Sequence, residues 1–250
     1  MYTTTYVLRS SDEGRSWSKP ADGNLTDTLL QKNISMMQWG EGQGLVLPNG
    51  DLLACGWFKQ AGRRPGEADS TDSVACVASG NHGRSWSVRG RLPTPHPATN
   101  EVAMALTPNG SVYLSMRTND KMPQRMQSWS TDNGHTFSAI DAGPLPAPTC
   151  NAGAINPTAD HKQLLLAHIE PDSTCTANCQ GRRNMVLRAS EDGGGSFAAP
   201  VPLNGGLPAG YVTLTTTSDS STIGALYENA GSANETCYAR ISYQNVTVLG

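Results

Sequence analysis

One eight-residue string recurs four times in this 250-residue chain: Ser10 to Trp17 (SSDEGRSW), Ser79 to Trp86 (SGNHGRSW), Ser130 to Phe137 (STDNGHTF) and Ser190 to Phe197 (SEDGGGSF). The copies begin 69, 51 and 60 residues apart. A repeat of that kind means one supersecondary unit used several times. The period is too long for a helical solenoid and fits one small β-sheet per copy, as in a β-propeller. Each copy reads Ser, any, Asp or Asn, any, Gly, any, Ser or Thr, aromatic. The Asp or Asn side chain bonds nearby backbone N–H groups, the Gly takes a positive φ, and the aromatic packs back beneath the turn. These strings, His82 and His135 included, therefore read as structural turns, and the chemistry has to be sought elsewhere.

Composition narrows the alternatives. With 26 Gly, 16 Pro and only 3 Phe, the chain suits short strands joined by turns, in a single all-β domain spanning 1–250. A net charge of −3 with no basic stripe argues against nucleic acid. No apolar run has the length of a membrane-spanning helix, so no stable membrane insertion is expected. Six cysteines form an even set, and five N-x-S/T sequons (Asn24, Asn33, Asn109, Asn234, Asn245) point the same way, to a secreted or luminal protein. The stretch from Met1 to Tyr6 lacks the basic and apolar regions of a signal peptide. Cys175 and Cys179, four apart, read as a loop disulfide or two thiols before a metal pair, because no second ligand pair has matching spacing.

Three segments read as strand, turn, strand: Gly44 to Trp57 around Pro48-Asn49-Gly50, Glu101 to Arg117 around Pro108-Asn109-Gly110, and Tyr211 to Glu228 around Ser218-Asp219-Ser220. A third strand then runs into a repeat string, as in Ser73 to Ser79, Met126 to Ser130 and Asn184 to Ser190. The unit is an antiparallel four-stranded blade. With the hairpin turns at the bottom, the strings also lie at the bottom, and strand-one starts, strand-two ends and strand-three starts gather at the top. Glu101 and Arg117 are equidistant from Asn109, so they should oppose one another at the top. Tyr211 and Glu228 repeat that relationship, and Arg183 stands where a third strand begins, with Arg182 as the alternative one residue away.

The strings resemble the Asp boxes of the sialidase (neuraminidase) superfamily, a class that also contains other glycosidases and non-catalytic receptors. Asn100-Glu101 leading to Ser115-Met116-Arg117 is similar to the family segment carrying the glutamate partner of the nucleophile and a carboxylate-binding arginine. Gly181-Arg182-Arg183-Asn184-Met185 resembles the segment with another such arginine, and Tyr211-Val212-Thr213-Leu214 with Ile223 to Glu228 resembles the nucleophile hairpin. Gly40-Glu41-Gly42-Gln43-Gly44 looks like the glycine-rich opening of a further blade.

The resemblance implies a six-bladed β-propeller of four-stranded blades, about five of them in this chain, lacking most of the first blade. It implies retaining hydrolysis of terminal sialic acids from sialylated glycoconjugates, with no metal or organic cofactor. Tyr211 would be the nucleophile and Glu101 its base, with Arg117 and Arg183 as carboxylate clamps and Glu228 orienting an arginine. A tyrosine suits an anionic sugar, since a carboxylate nucleophile would be repelled by it. The family's Arg-Ile-Pro clamp and its aspartate acid precede the first box and are not found here, so little turnover is expected of these 250 residues alone. The alternatives are a non-catalytic Asp-box propeller binding glycan or protein, or a paired-carboxylate glycosidase, which the arginines beside Glu101 and Glu228 disfavour.

Overall fold

A computed structural model describes residues 3–19, 23–60, 73–93, 98–118, 123–146, 149–171, 181–218 and 221–248. Among these, one short helix, α1 (Thr26–Leu30), precedes four antiparallel sheets. The first sheet holds β1 (Ile34–Trp39), β2 (Leu45–Val46), β3 (Leu52–Gln60), β4 (Ser73–Ser79) and β5 (Ser87–Arg91). β1 and β2 share opposite ends of β3. The second is β6 (Thr99–Leu106), β7 (Val112–Thr118), β8 (Gln124–Ser130) and β9 (Asp141–Pro146), in that order across the sheet. The third is β10 (Gly153–Ile155), β11 (Leu164–Pro171), β12 (Arg182–Ser190) and β13 (Val201–Pro202). The last has three strands, β14 (Ala209–Thr216), β15 (Thr222–Asn229) and β16 (Arg240–Thr247).

Strands β6, β10 and β14, the first of their sheets, pack against one another, as the innermost strands of propeller blades do. Both faces of a blade are covered by its neighbours, and every residue of β6 is buried, from Thr99 to Leu106. Leu114 and Met116 in one sheet meet Leu53 and Cys55 of the previous one, while Leu164 and Leu166 meet Ala103 and Tyr113. Cys55 and Cys76, directly opposed on β3 and β4, form a disulfide within this core. Cys175 and Cys179 lie outside the described residues, as do Asp219 and Ser220 of the last hairpin turn. Among the described residues, no helix is long and apolar enough to cross a membrane.

The expected count of six blades, about five of them in this chain, is corrected to four sheets among the described residues. The first box sits in residues 3–19, where only isolated bridges form, Tyr6 with Asn24 and Arg9 with Ser18. A repeat string marks a turn between two strands. It does not supply the neighbouring ladder that would make them a sheet.

The boxes themselves follow the expected chemistry. In the third, Ser130 Oγ accepts the Gly134 N–H (2.8 Å) and donates to Asp132 (2.7 Å), whose carboxylate accepts both the Thr136 N–H (2.8 Å) and hydroxyl (2.6 Å). Gly134 and the preceding Asn133 both adopt positive φ, 83° and 58°. The third and fourth boxes also press on the preceding sheet, and a Cβ on Gly134 would lie 3.1 Å from Leu53 Cδ1. The Trp129 indole donates to the Gly193 carbonyl of the next box (2.8 Å), and a Cβ on Gly194 would collide with the Tyr113 ring. The register places the boxes at the end away from Glu101. Ser130 opposes Val112, whereas Met126 opposes Met116 beside Arg117.

Candidate active site

Two bulges aim the site. The β6–β7 register breaks between Thr99 and Val102, and the β14–β15 register breaks between Ala209 and Val212. Glu101 and Tyr211 sit in these breaks, where an extra residue bends the strand and redirects a side chain. The Tyr211 N–H, released from the ladder, donates to Glu228 Oε2 at 2.9 Å. Gly210 makes room for that carboxylate, since a Cβ there would strike it. Glu228 was expected to orient an arginine; the structure places it under the tyrosine backbone instead.

The redirected side chains meet. Arg117 Nη1 donates to both oxygens of Glu101, each at 2.8 Å, and to the Tyr211 hydroxyl oxygen at 3.1 Å. The Tyr211 hydroxyl donates to Glu101 Oε1 in a short hydrogen bond. The pair is well shielded, with 15% of the Arg117 side chain and 7% of the Glu101 side chain exposed. Burial, and next the bond to Glu101, push the Tyr211 phenol above its ordinary range. The phenol is thus held as a neutral donor to the Glu101 carboxylate.

The second guanidinium at the tyrosine belongs to Arg182. Its Cζ lies 5.9 Å from the centre of the Tyr211 ring, and its nitrogens donate to the Tyr238 hydroxyl and the Thr149 carbonyl, each at 2.6 Å. Arg183, the expected clamp, instead donates through Nε to the Gly206 carbonyl at 3.0 Å. The physical reason is a third bulge. The β11–β12 register passes from Ile169 opposite Met185 to Glu170 opposite Arg183, skipping Asn184, whose φ is +54°. One inserted residue exchanges the faces of everything beyond it. A residue tolerant of positive φ at position 184 was the available sequence signal.

Two positioning residues escaped the sequence reading. Asn151, 1% exposed, accepts the Val212 N–H at 3.0 Å and donates to the Val212 carbonyl at 3.1 Å, completing the backbone of the residue after Tyr211. Arg125, 2% exposed, donates to Ser115 Oγ (2.8 Å) and to the Cys150 carbonyl (2.9 Å), fixing the segment that carries Asn151. Burial lowers the Arg125 pKa to about 10. Glu41 joins Tyr211 and Glu228 around a cavity of about 170 Å³ at the same mouth. No cluster of three or more His, Cys, Asp or Glu side chains suited to a metal occurs among the described residues.

Comparison with known proteins identifies the family. Residues 1–234 match the model of the BNR repeat-like domain. An exo-alpha-sialidase of Aspergillus fumigatus is 30% identical over 233 residues, covering 90% of this chain and 50% of that protein. One from Arthroderma benhamiae is 29% identical, with the same coverage. The chain therefore spans about half the length of these curated relatives. Among solved structures, the Hadza microbial sialidase Hz136 superposes with a TM-score of 0.75 at 26% identity, over 98% of this chain and 44% of that one. Repeats, blades and matching relatives agree, and the chain belongs to the sialidase/BNR-repeat β-propeller superfamily.

Proposed function

We propose that the cleft around Tyr211 is the active site of an exo-α-sialidase-type glycoside hydrolase acting on terminal sialic acids of glycoconjugates. The observation that carries this reading is the shared junction of the Tyr211 hydroxyl, the Glu101 carboxylate and the Arg117 guanidinium. The sugar carboxylate binds to the guanidinium forks of Arg117 and Arg182, charge-assisted contacts that orient the ring. Tyr211 oxygen then bonds to the anomeric carbon as the bond to the leaving oxygen breaks; the phenolic proton passes to Glu101, and the departing oxygen takes a proton from solvent water, leaving hydroxide. In the second half, water attacks the anomeric carbon and yields its surplus proton to the hydroxide left in solvent, Glu101 returns the phenolic proton to the departing Tyr211 oxygen, and the anomeric configuration is retained. Arg117, bonded to both partners, stabilises Glu101 before transfer and the developing phenolate during it. Glu228 and Asn151 hold the tyrosine backbone at its bulge.

A leaving group that needs no acid tests the nucleophile directly. Incubation with 2,3-difluorosialic acid should form a bond from Tyr211 oxygen to the anomeric carbon as fluoride departs. Mass spectrometry of peptides should then find one sugar adduct, on the Tyr211 peptide, and none in the Tyr211→Phe variant. Labelling that persists unchanged in Tyr211→Phe removes the tyrosine from the mechanism. Saturable sialic-acid binding with no adduct in either protein identifies a glycan-binding propeller instead.

A further inference from the structure

Beside the nucleophile pair lies a carboxyl group that the mechanism above leaves unused. The segment from Gly40 to Gly44 crosses the mouth of the cleft. At one end Gly40 lies so close to β6 that a Cβ would fall within the radius of the Val102 carbonyl oxygen, 3.2 Å from its carbon. At the other end the Gln43 amide donates to Thr215 Oγ1 on β14 at 3.2 Å. Pinned at both ends, the segment suspends Glu41, half-buried, over the gap between the strands that carry Glu101 and Tyr211. Together with Tyr211, Glu228, Asn151 and Tyr227, Glu41 lines the cavity of about 170 Å³, whose other walls include Leu226 and Ile241.

The charges facing Glu41 are unequal. Glu101 and the Tyr211 hydroxyl come from β6 and β14, Glu228 and Tyr227 from β15, and Arg117 and Arg125 from β7 and β8. Both guanidiniums have partners already, Arg117 on Glu101 and Arg125 on Ser115 and the Cys150 carbonyl. Burial, and then the charge of Glu101, raise the Glu41 carboxyl from its ordinary range to about 7. An ionised Glu41 would add an uncompensated negative charge where an anionic sugar has to lie, whereas a neutral one offers an O–H donor.

We propose, building on the sialidase reading, that Glu41 is a ligand-contacting group of the cleft that holds the anionic sugar as a neutral carboxylic acid and repels it when ionised. Glu41 is thus a specificity element, separate from the proton transfer between Tyr211 and Glu101.

Calorimetry with N-acetylneuraminic acid at about pH 5.5 and about pH 8.5 tests this in the unsubstituted chain and in Glu41→Gln. If only the neutral form binds, the apparent affinity follows its fraction. With a midpoint of about 7, binding by the unsubstituted chain should weaken roughly 30-fold between the two conditions. Glu41→Gln, permanently neutral, should bind at both pH values within about threefold of the unsubstituted chain at the lower one. By linkage, saturating sugar should also raise the Glu41 titration midpoint, followed by the carboxyl ¹³C shift in the unsubstituted protein. A Glu41→Gln variant that keeps the 30-fold dependence, or a midpoint that sugar leaves unmoved, overturns the proposal alone. Absence of binding by the unsubstituted chain at either pH overturns the sialidase reading and this proposal with it.

Discussion

The carboxamide of Asn151 closes both backbone hydrogen bonds of Val212, at 3.0 and 3.1 Å, in the manner of one rung of a β-ladder built from a side chain. It joins the third sheet to the fourth one residue beyond Tyr211. β14 is an end strand of its sheet, with β15 on the other side, so no strand of that sheet supplies this rung, and an unpaired buried backbone group is costly.

Replacing Asn151 with Ala should therefore leave two buried backbone groups without partners and destabilise the protein by about 1–3 kcal/mol for each. Tyr211 should lose its fixed aim. With 2,3-difluorosialic acid the rate constant for labelling of Tyr211 should fall while the concentration giving half-maximal rate changes little, because the arginines proposed to hold the sugar, Arg117 and Arg182, stand on other strands. Asn151→Asp keeps the acceptor for the Val212 N–H but loses the donor, so it should recover part of the stability. An unchanged labelling rate in Asn151→Ala would show that Glu228 alone positions the tyrosine.

Arg182 and Arg183 separate binding from scaffolding. Arg182 faces the Tyr211 ring, and Arg183 is tied to the Gly206 carbonyl. Loss of charged hydrogen bonds worth about 1.5–3 kcal/mol predicts that Arg182→Ala weakens N-acetylneuraminic acid binding roughly 10- to 150-fold. Arg183→Ala should change it less than about threefold. Arg117→Ala is a less clean probe, because it also strands the buried carboxylate of Glu101. Equal losses in the Arg182 and Arg183 variants, measured by calorimetry, would contradict the placement.

What was legible in the sequence depended on local geometry. Glu101, Arg117, Tyr211 and Glu228 could be brought to one rim because hairpin partners are equidistant from their turn. The face of Arg182 against that of Arg183 could not, because it turns on a bulge at Asn184. Asn151 and Arg125 act across sheets, on backbone 61 and 25 residues away, where no periodicity links them. The blade count failed for a related reason. The first box is present with its hydrogen bonds intact, from the Gly14 N–H to Ser10 Oγ and from the Ser16 N–H to Asp12 Oδ1, yet among the described residues only isolated bridges form beside it.

The boxes give the fold a defined acid limit. At Asp132 burial is the largest single influence and pushes upward, but the bonds from Thr136 and Ser130 together outweigh it, and at Asp12 and Asp192 the hydroxyls and N–H groups of Ser16 and Ser196 dominate, so all three carboxyls are held at about 2. An unfolded aspartate titrates near 3.9. Folded values below that mean stabilisation that is present above about pH 4 and is lost as the pH falls through about 2. The second box carries Asn81, which accepts the Ser85 N–H at 2.9 Å without a titrating group. A double variant, Asp132→Asn with Asp192→Asn, should therefore fold and should lose less melting temperature than the parent between about pH 7 and about pH 3. An identical acid loss in both proteins would assign acid unfolding to other carboxylates.

Gly40 and Gly42 offer a matched pair two residues apart. A Cβ on Gly40 would enter the Val102 carbonyl and come within 3.3 Å of its Cγ1, whereas a Cβ on Gly42 meets nothing within 4 Å. The obstacle at Gly40 is backbone of β6, the strand next to Glu101, which has no rotamer by which to withdraw. Gly40→Ala should therefore push the crossing segment away from the mouth, at about 1–3 kcal/mol or more of overpacking. It should displace Glu41 and weaken binding of N-acetylneuraminic acid at low pH. Gly42→Ala should leave affinity and melting temperature close to those of the parent protein. If both variants behave alike in calorimetry and thermal melts, the close approach of this segment to β6 is not what sets the mouth of the cleft.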